Sequence, residues 1–131
     1  MPRTLLMRVV HVAETDEIAG AEAEAPLLRS ERLGIEGLTR TRIGFKGNPA
    51  TIVCSARARG TRAQRASYNW WIASSLALVG SPETVRRKLA EQHERIGYDV
   101  LCASHRFGAI PPEQSLKSLK LFGEEVIPAF A

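Results

Sequence analysis

The pair His105-Arg106 follows directly on Val100–Ser104, an apolar run with the composition of a buried strand. An imidazole can hold or pass a proton near neutral pH, and a guanidinium can grip a phosphate or carboxylate. Ligands in parallel α/β architectures sit at the carboxyl ends of the strands, so His105 and Arg106 are candidate binding residues. Ser81-Pro82-Glu83 is a second candidate. It opens a helix whose first backbone N–H groups could receive a phosphate, although plain capping by the Ser81 hydroxyl explains the same residues.

The remaining chemistry-bearing residues read as structural. His11 lies inside an apolar strand-like run and is expected to be a core or rim histidine, and His93 shares a helical stripe with Leu89 and Ile96. Cys54 and Cys102 are far apart with no CxxC spacing, so each should behave as a small apolar residue, and no metal site is expected. GxGxxG, Walker, HExxH and GxSxG patterns are absent, and no catalytic residue is assigned.

Charge is uneven. Between Gly37 and Pro82 the chain carries Arg40, Arg42, Lys46, Arg57, Arg59, Arg62 and Arg65 and no acidic residue. Such a stretch could attract phosphates or RNA, yet Gly44, Gly47, Pro49 and Gly60 mark it as an irregular connection with no aromatic platform, so nucleic acid is not an expected partner.

The elements that must position these residues follow from patterning. At 131 residues with 44% apolar and 24% charged side chains and a mean hydropathy of -0.13, the chain has the length and balance of one soluble domain. The longest nearly apolar run, Trp70 to Val79, is interrupted by Ser74 and Ser75 and is about half the ~20 residues of a membrane span. No signal-peptide cleavage pattern follows the first apolar stretch, so the cytoplasm is the expected location.

Leu5 to Ala13 suits a strand buried on both faces, followed by a helix from Asp16 that Thr15 caps. Pro26 should kink or split that helix and Gly34 should stop it. Residues 35–66 have weak periodicity and are expected to form an insertion, with a short strand-like run at Ala50–Ser55. A short helix within Ala66–Leu76 and a strand at Ala77–Val79 come next. A helix then runs from Pro82 to a stop at Gly97 with Val85, Leu89 and Ile96 inward, and a buried strand follows at Val100–Ser104. The last helix carries Leu116, Leu119, Phe122 and Val126 on one stripe and should end at Pro128. Strands alternating with amphipathic helices make the class α/β with a parallel sheet.

The closing stretch, ALVGSPETVRRKLAEQHERIGYDVLCASHRFGAIPPEQSLKSLKLFGEEVIPAF, resembles the C-terminal end of the bacterial luciferase-like flavin-dependent monooxygenases. The G-S-P-E-T-V turn, the G-Y-D-V strand start and the S-L-x-L-F-x-E-E-V-I-P close carry the resemblance, and VVHVAETDEIAGAEAEA is similar to the strand and helix before that family's last insertion. These pieces cover about two thirds of the chain.

The resemblance implies a partial (β/α)8 TIM barrel, with residues 1–131 as a single C-terminal segment holding the last three βα units and an insertion at 35–66. A complete barrel needs roughly 250 residues and eight strands. It also implies FMN or a related reduced flavin, dioxygen and a small organic substrate, with His105, Arg106 and Ser81 placed to touch the cofactor. An open three-stranded remnant leaves apolar surface and strand edges uncovered, so a homo-oligomer or a partner chain is expected. The competing expectation is a non-catalytic remnant or subunit that associates with a partner through that surface.

Overall fold

A computed structural model describes residues 4–42 and 62–131. β1 (Leu5–Val12) pairs in parallel with both β2 (Ala77–Gly80) and β3 (Val100–Ser104), so the sheet order is β2-β1-β3. α1 (Asp16–Arg42) leads from β1 towards α2 (Arg62–Arg65) and α3 (Tyr68–Ala73); α4 (Pro82–Ile96) joins β2 to β3. α5 (Pro112–Leu121) follows β3 and runs into a π-helical turn at Phe122–Val126 and a 3-10 turn at Ile127–Phe130. Among the described residues no helix is long and apolar enough to cross a membrane.

The order has a consequence for the helices. β1 to β2 and β2 to β3 travel in opposite directions across the sheet, and connections of one hand then lay their helices on opposite faces. Ala19, Ala23 and Leu27 of α1 accordingly pack with Ala77, Val79 and Val9 on one face. Val85 and Leu89 of α4 pack with Val10, Val12 and Leu78 on the other, together with Phe122 and Val126. Full burial of side chains such as Val10, Leu78 and Val85 contributes roughly 1.5–3 kcal/mol each. Three consecutive barrel units would instead read β1-β2-β3 with every helix on one face. The α/β class and the parallel sheet stand; the neighbour order differs.

Several local expectations hold for the reasons given. Thr15 Oγ1 accepts the Ile18 N–H at 3.2 Å, Ser81 Oγ accepts the Thr84 N–H at 3.4 Å, and Gly97 closes α4 at φ 67° with its N–H on the His93 carbonyl. Others do not. α1 runs on through Pro26 and past Gly34, so eight residues assigned to the insertion, 35–42, are helical. Burial explains the passage: Ala23 and Leu27, on either side of the proline, are both held in the core. The chain after β3 also closes onto this point, because a Cβ at Gly108 would stand 2.0 Å from the Pro26 carbonyl oxygen, an approach only glycine permits at φ 54°. The strand-like run Ala50–Ser55 lies outside the described residues.

Burial of the strands is one-sided at their amino ends. Leu5 and Met7, expected inside, are 61% and 60% exposed, and β3 is an edge strand on which Cys102 is exposed rather than buried. The cause is coverage: α1 lies over the carboxyl half of β1 and leaves the other half bare. In the last helix Leu116 and Leu119 are 66% and 52% exposed while Phe122 and Val126 are buried. Ser118, not a leucine, faces the sheet there, and the π-helical turn brings Phe122 and Val126 inward. Pro128 sits within the closing 3-10 turn and does not end the helical path.

Candidate functional site at the strand carboxyl ends

β1 ends on His11 and Val12, and three elements converge there. The fully buried His11 ring presents Nε2 to Glu22 Oε2 of α1 at 2.7 Å. The Val12 N–H donates to Ser118 Oγ of α5 at 2.8 Å, and the same hydroxyl lies 2.8 Å from His105 Nδ1. His105 follows β3 and is held at its backbone too, since Ser115 Oγ donates to its carbonyl at 2.7 Å. Phe107 meets the His11 ring edge-on at 6.2 Å and Phe122 meets His105 at 5.0 Å.

Burial drives the His105 imidazole down to about pKa 4, with the neighbouring His11 pushing the same way. At neutral pH His105 is therefore uncharged. Two ring nitrogens at this end, His11 Nδ1 and His105 Nε2, are buried without a hydrogen-bond partner among the described residues. Buried polar atoms left open in this way are uncommon and costly.

The start of α4 is arranged differently. Asp16 Oδ1 accepts the Ser81 N–H at 2.7 Å, and Asp16 Oδ2 accepts the Thr84 hydroxyl at 2.9 Å. The Ser81 amide is the main reason the Asp16 carboxyl titrates below its ordinary value. The protein thus supplies its own anion where a phosphate would bind. Glu14, Glu17, Glu83 and Glu125 line the same shallow depression with Arg86 as the only cation. Gly80 permits the contact, because a Cβ there would stand 2.7 Å from Asp16 Oδ1.

The three expected binding residues are therefore not gathered at one point. Ser81 follows the edge strand β2, whereas His105 and Arg106 follow the opposite edge strand β3. His105 is buried and Arg106 is exposed. His11 is the core histidine expected of it, but it also stands at the centre of the strand-end cluster. Glu22 and Ser118 were not anticipated. The sequence signal for Glu22 is a lone carboxylate on the alanine face of α1, beside Ala19 and Ala23.

His93 is exposed and stacks edge-on with Tyr98 at 5.2 Å. Of the basic segment, Arg65 pairs with Glu31, and its carbonyl accepts the Trp71 indole N–H at 2.9 Å. Lys46, Arg57 and Arg59 lie outside the described residues, which include no group of three metal-ligating side chains.

No family model matches the chain, and no curated protein is similar to it in sequence. Several solved structures share its fold, among them two monooxygenases. The monooxygenase RslO1 from Streptomyces bottropensis aligns over 100% of this chain with a TM-score of 0.63 at 20% identity. The oxygenating constituent of 3,6-diketocamphane monooxygenase from Pseudomonas putida, a type II Baeyer-Villiger enzyme in complex with FMN, aligns over 95% with a TM-score of 0.65 at 23% identity. In each case the chain spans about a third of the neighbour, 33% of its length.

Proposed function

We propose that this chain is related to one section of a luciferase-like flavin-dependent monooxygenase, an oxidoreductase acting on a small organic substrate in the cytoplasm, although its strand order is not that of consecutive (β/α)8-barrel units. The observation that carries the reading is the fold likeness, which extends over the whole chain and reaches two flavin or oxygenase structures. The resemblance of the G-S-P-E-T-V and E-E-V-I-P segments points the same way. FMN, or a related reduced flavin, would supply the oxygen chemistry when bound.

Among the described residues, the α4 N-terminus is not open to the flavin's phosphate. Asp16 fills the α4 N-terminus that a phosphate would need, and the acidic residues around it repel a second anion. The reading places the flavin's contacts on strands that the matched third does not include. His105 and Arg106 then border the ligand from the β3 side. Arg106 is exposed there and can reach an anionic group, while His105, held neutral, can donate or accept a proton but adds no charge.

The remaining strands would also cover what this sheet leaves open. Leu5 pairs in register with Val100 and Met7 with Cys102, so all four side chains share one face, and all are exposed. An uncovered apolar sheet face beside unpaired strand edges favours association with another polypeptide, whether a second copy or a partner chain. The exposed face equally favours the second reading, a non-catalytic subunit that binds a partner through it. FMN fluorescence anisotropy on the assembly purified from its source together with whatever polypeptide supplies the remaining strands separates the two. Binding at micromolar protein supports the flavin reading. A folded assembly, intact by circular dichroism, that leaves FMN free overturns it and leaves the subunit reading.

A further inference from the structure

We infer that the outer edge of β3 is the seam of a homodimer, in which two copies of this chain pair antiparallel about a two-fold axis at Cys102. The inference does not rest on the flavin reading. It starts from a difference between the two edges of the sheet. All four residues of β2 are buried, with α1 packed on one face and α4 on the other. Val100 and Cys102 of β3 are exposed, and among the described residues β3 pairs only with β1. Edge strands are commonly guarded against further pairing by a lysine, a proline or another charge. Val100–Ser104, with the sequence VLCAS, carries none of these.

The β1 pairing fixes which backbone groups of β3 face outward. The Val100 N–H donates to the Thr4 carbonyl at 3.1 Å, so by alternation Cys102 and Ser104 also turn their backbone groups to β1, while Leu101 and Ala103 turn theirs away. In an antiparallel copy centred on Cys102, Leu101 lies opposite Ala103 and the two exchange both N–H···O bonds, an exchange the two-fold axis repeats. Cys102 then faces its own counterpart in the closer, non-hydrogen-bonded kind of pair. The flanks select the orientation. Asp99 precedes β3 and Arg106 follows it, and both are exposed. The Thr4 N–H, donating to Asp99 Oδ2 at 2.9 Å, holds that carboxylate at the strand start. Antiparallel pairing brings Asp99 of one copy beside Arg106 of the other at each end of the seam, whereas parallel pairing sets like against like. A second copy of the chain therefore fits both the outward backbone groups and the end charges.

The test is disulfide mapping on the whole chain in a Cys54→Ser background, with light scattering of the reduced protein. The reduced chain should be a dimer of twice 14.4 kDa at micromolar protein. Diamide should join Cys102 to Cys102, since opposed residues of an antiparallel pair have Cα atoms about 4.5–5.5 Å apart, within the range of about 4.4–6.8 Å that a disulfide spans. With Cys102→Ser added, a mixture of Val100→Cys and Ser104→Cys chains should give only the mixed cross-link, because each residue lies about 13 Å from its own counterpart. Random collision does not produce that pattern. Asp99→Arg should weaken the dimer about tenfold or more through the like charge set beside Arg106, and adding Arg106→Asp should restore it. A folded monomer, cross-linking of Val100→Cys chains to one another, or an Asp99→Arg dimer of undiminished affinity would each overturn the seam.

Discussion

The start of α4 and the end of β3 occupy equivalent places, each just past the carboxyl end of an edge strand, and they differ in one respect. At α4 the polar groups are answered from within the chain: Asp16 takes the Ser81 amide and the Thr84 hydroxyl, and Ser81 caps the helix. At β3 the matching is incomplete. Glu22 and Ser118 each satisfy one nitrogen of a histidine, and the two other nitrogens are buried with no hydrogen-bond partner among the described residues. A helix N-terminus that looks ready for a phosphate can be closed by one aspartate from the first turn of another helix. Chemistry is better sought where buried donors and acceptors do not balance.

The contrast can be broken most severely at Gly108, which lets the chain after His105 lie on α1. Gly108→Ala should destabilise the fold by about 3 kcal/mol or more, because the new Cβ meets backbone rather than a yielding side chain and the residue keeps a positive φ. Urea denaturation measures this, and a loss confined to a few tenths would mean the loop does not rest on Pro26.

Acid sharpens the comparison next. Folded His105 titrates at about 4 against 6.5 for an ordinary histidine, so between those values the unfolded chain binds a proton that the folded one refuses. Stability is then complete above about pH 6.5 and declines as pH falls towards 4, by about 2 kcal/mol after allowance for solvent screening. His105→Gln should flatten that slope in denaturation curves collected across the range; an unchanged slope would place its origin elsewhere.

At the other end, Asp16→Ala should cost about 1 kcal/mol through the loss of its hydrogen bonds to Ser81 and Thr84. Sulfate should then raise the melting temperature of this variant more than that of the unaltered protein, since the vacated N-terminus regains an anion. Equal responses would show that Asp16 was not holding the position. The smallest effect belongs to Arg87→Ala. This removes an exposed i,i+4 pair with Glu91 at 3.1 Å and should shift stability by under about 0.5 kcal/mol in the same assay.

Local chemistry in the sequence was a good guide to where elements begin and end. Ser81-Pro82 and Gly97 bound α4, and Thr15 caps α1, because capping is decided within a few residues. Helix continuation through Pro26 was not legible, since it depends on Leu27 and Gly108 meeting from distant parts of the chain. Sheet order was hidden for a similar reason: strand and helix alternation is the same for β1-β2-β3 and β2-β1-β3. His105 was identified from its place after a strand, while its partners Ser118 and Glu22 sit 13 residues downstream of it and 11 downstream of His11, on two other helices. Ile96 lies on the expected stripe of α4, yet it is exposed at the helix end where Gly97 turns the chain away.

Whether the bare sheet face is covered in solution can be read from Cys102, whose sulfur lies on that face beside Met7. In a Cys54→Ser background, the rate at which Cys102 reacts with a thiol reagent should be measured together with the mass by light scattering. The account predicts an assembly larger than 14.4 kDa in which Cys102 reacts slowly until dilution or mild denaturant separates the chains. A folded 14.4 kDa monomer with Cys102 as reactive as a free thiol would contradict it.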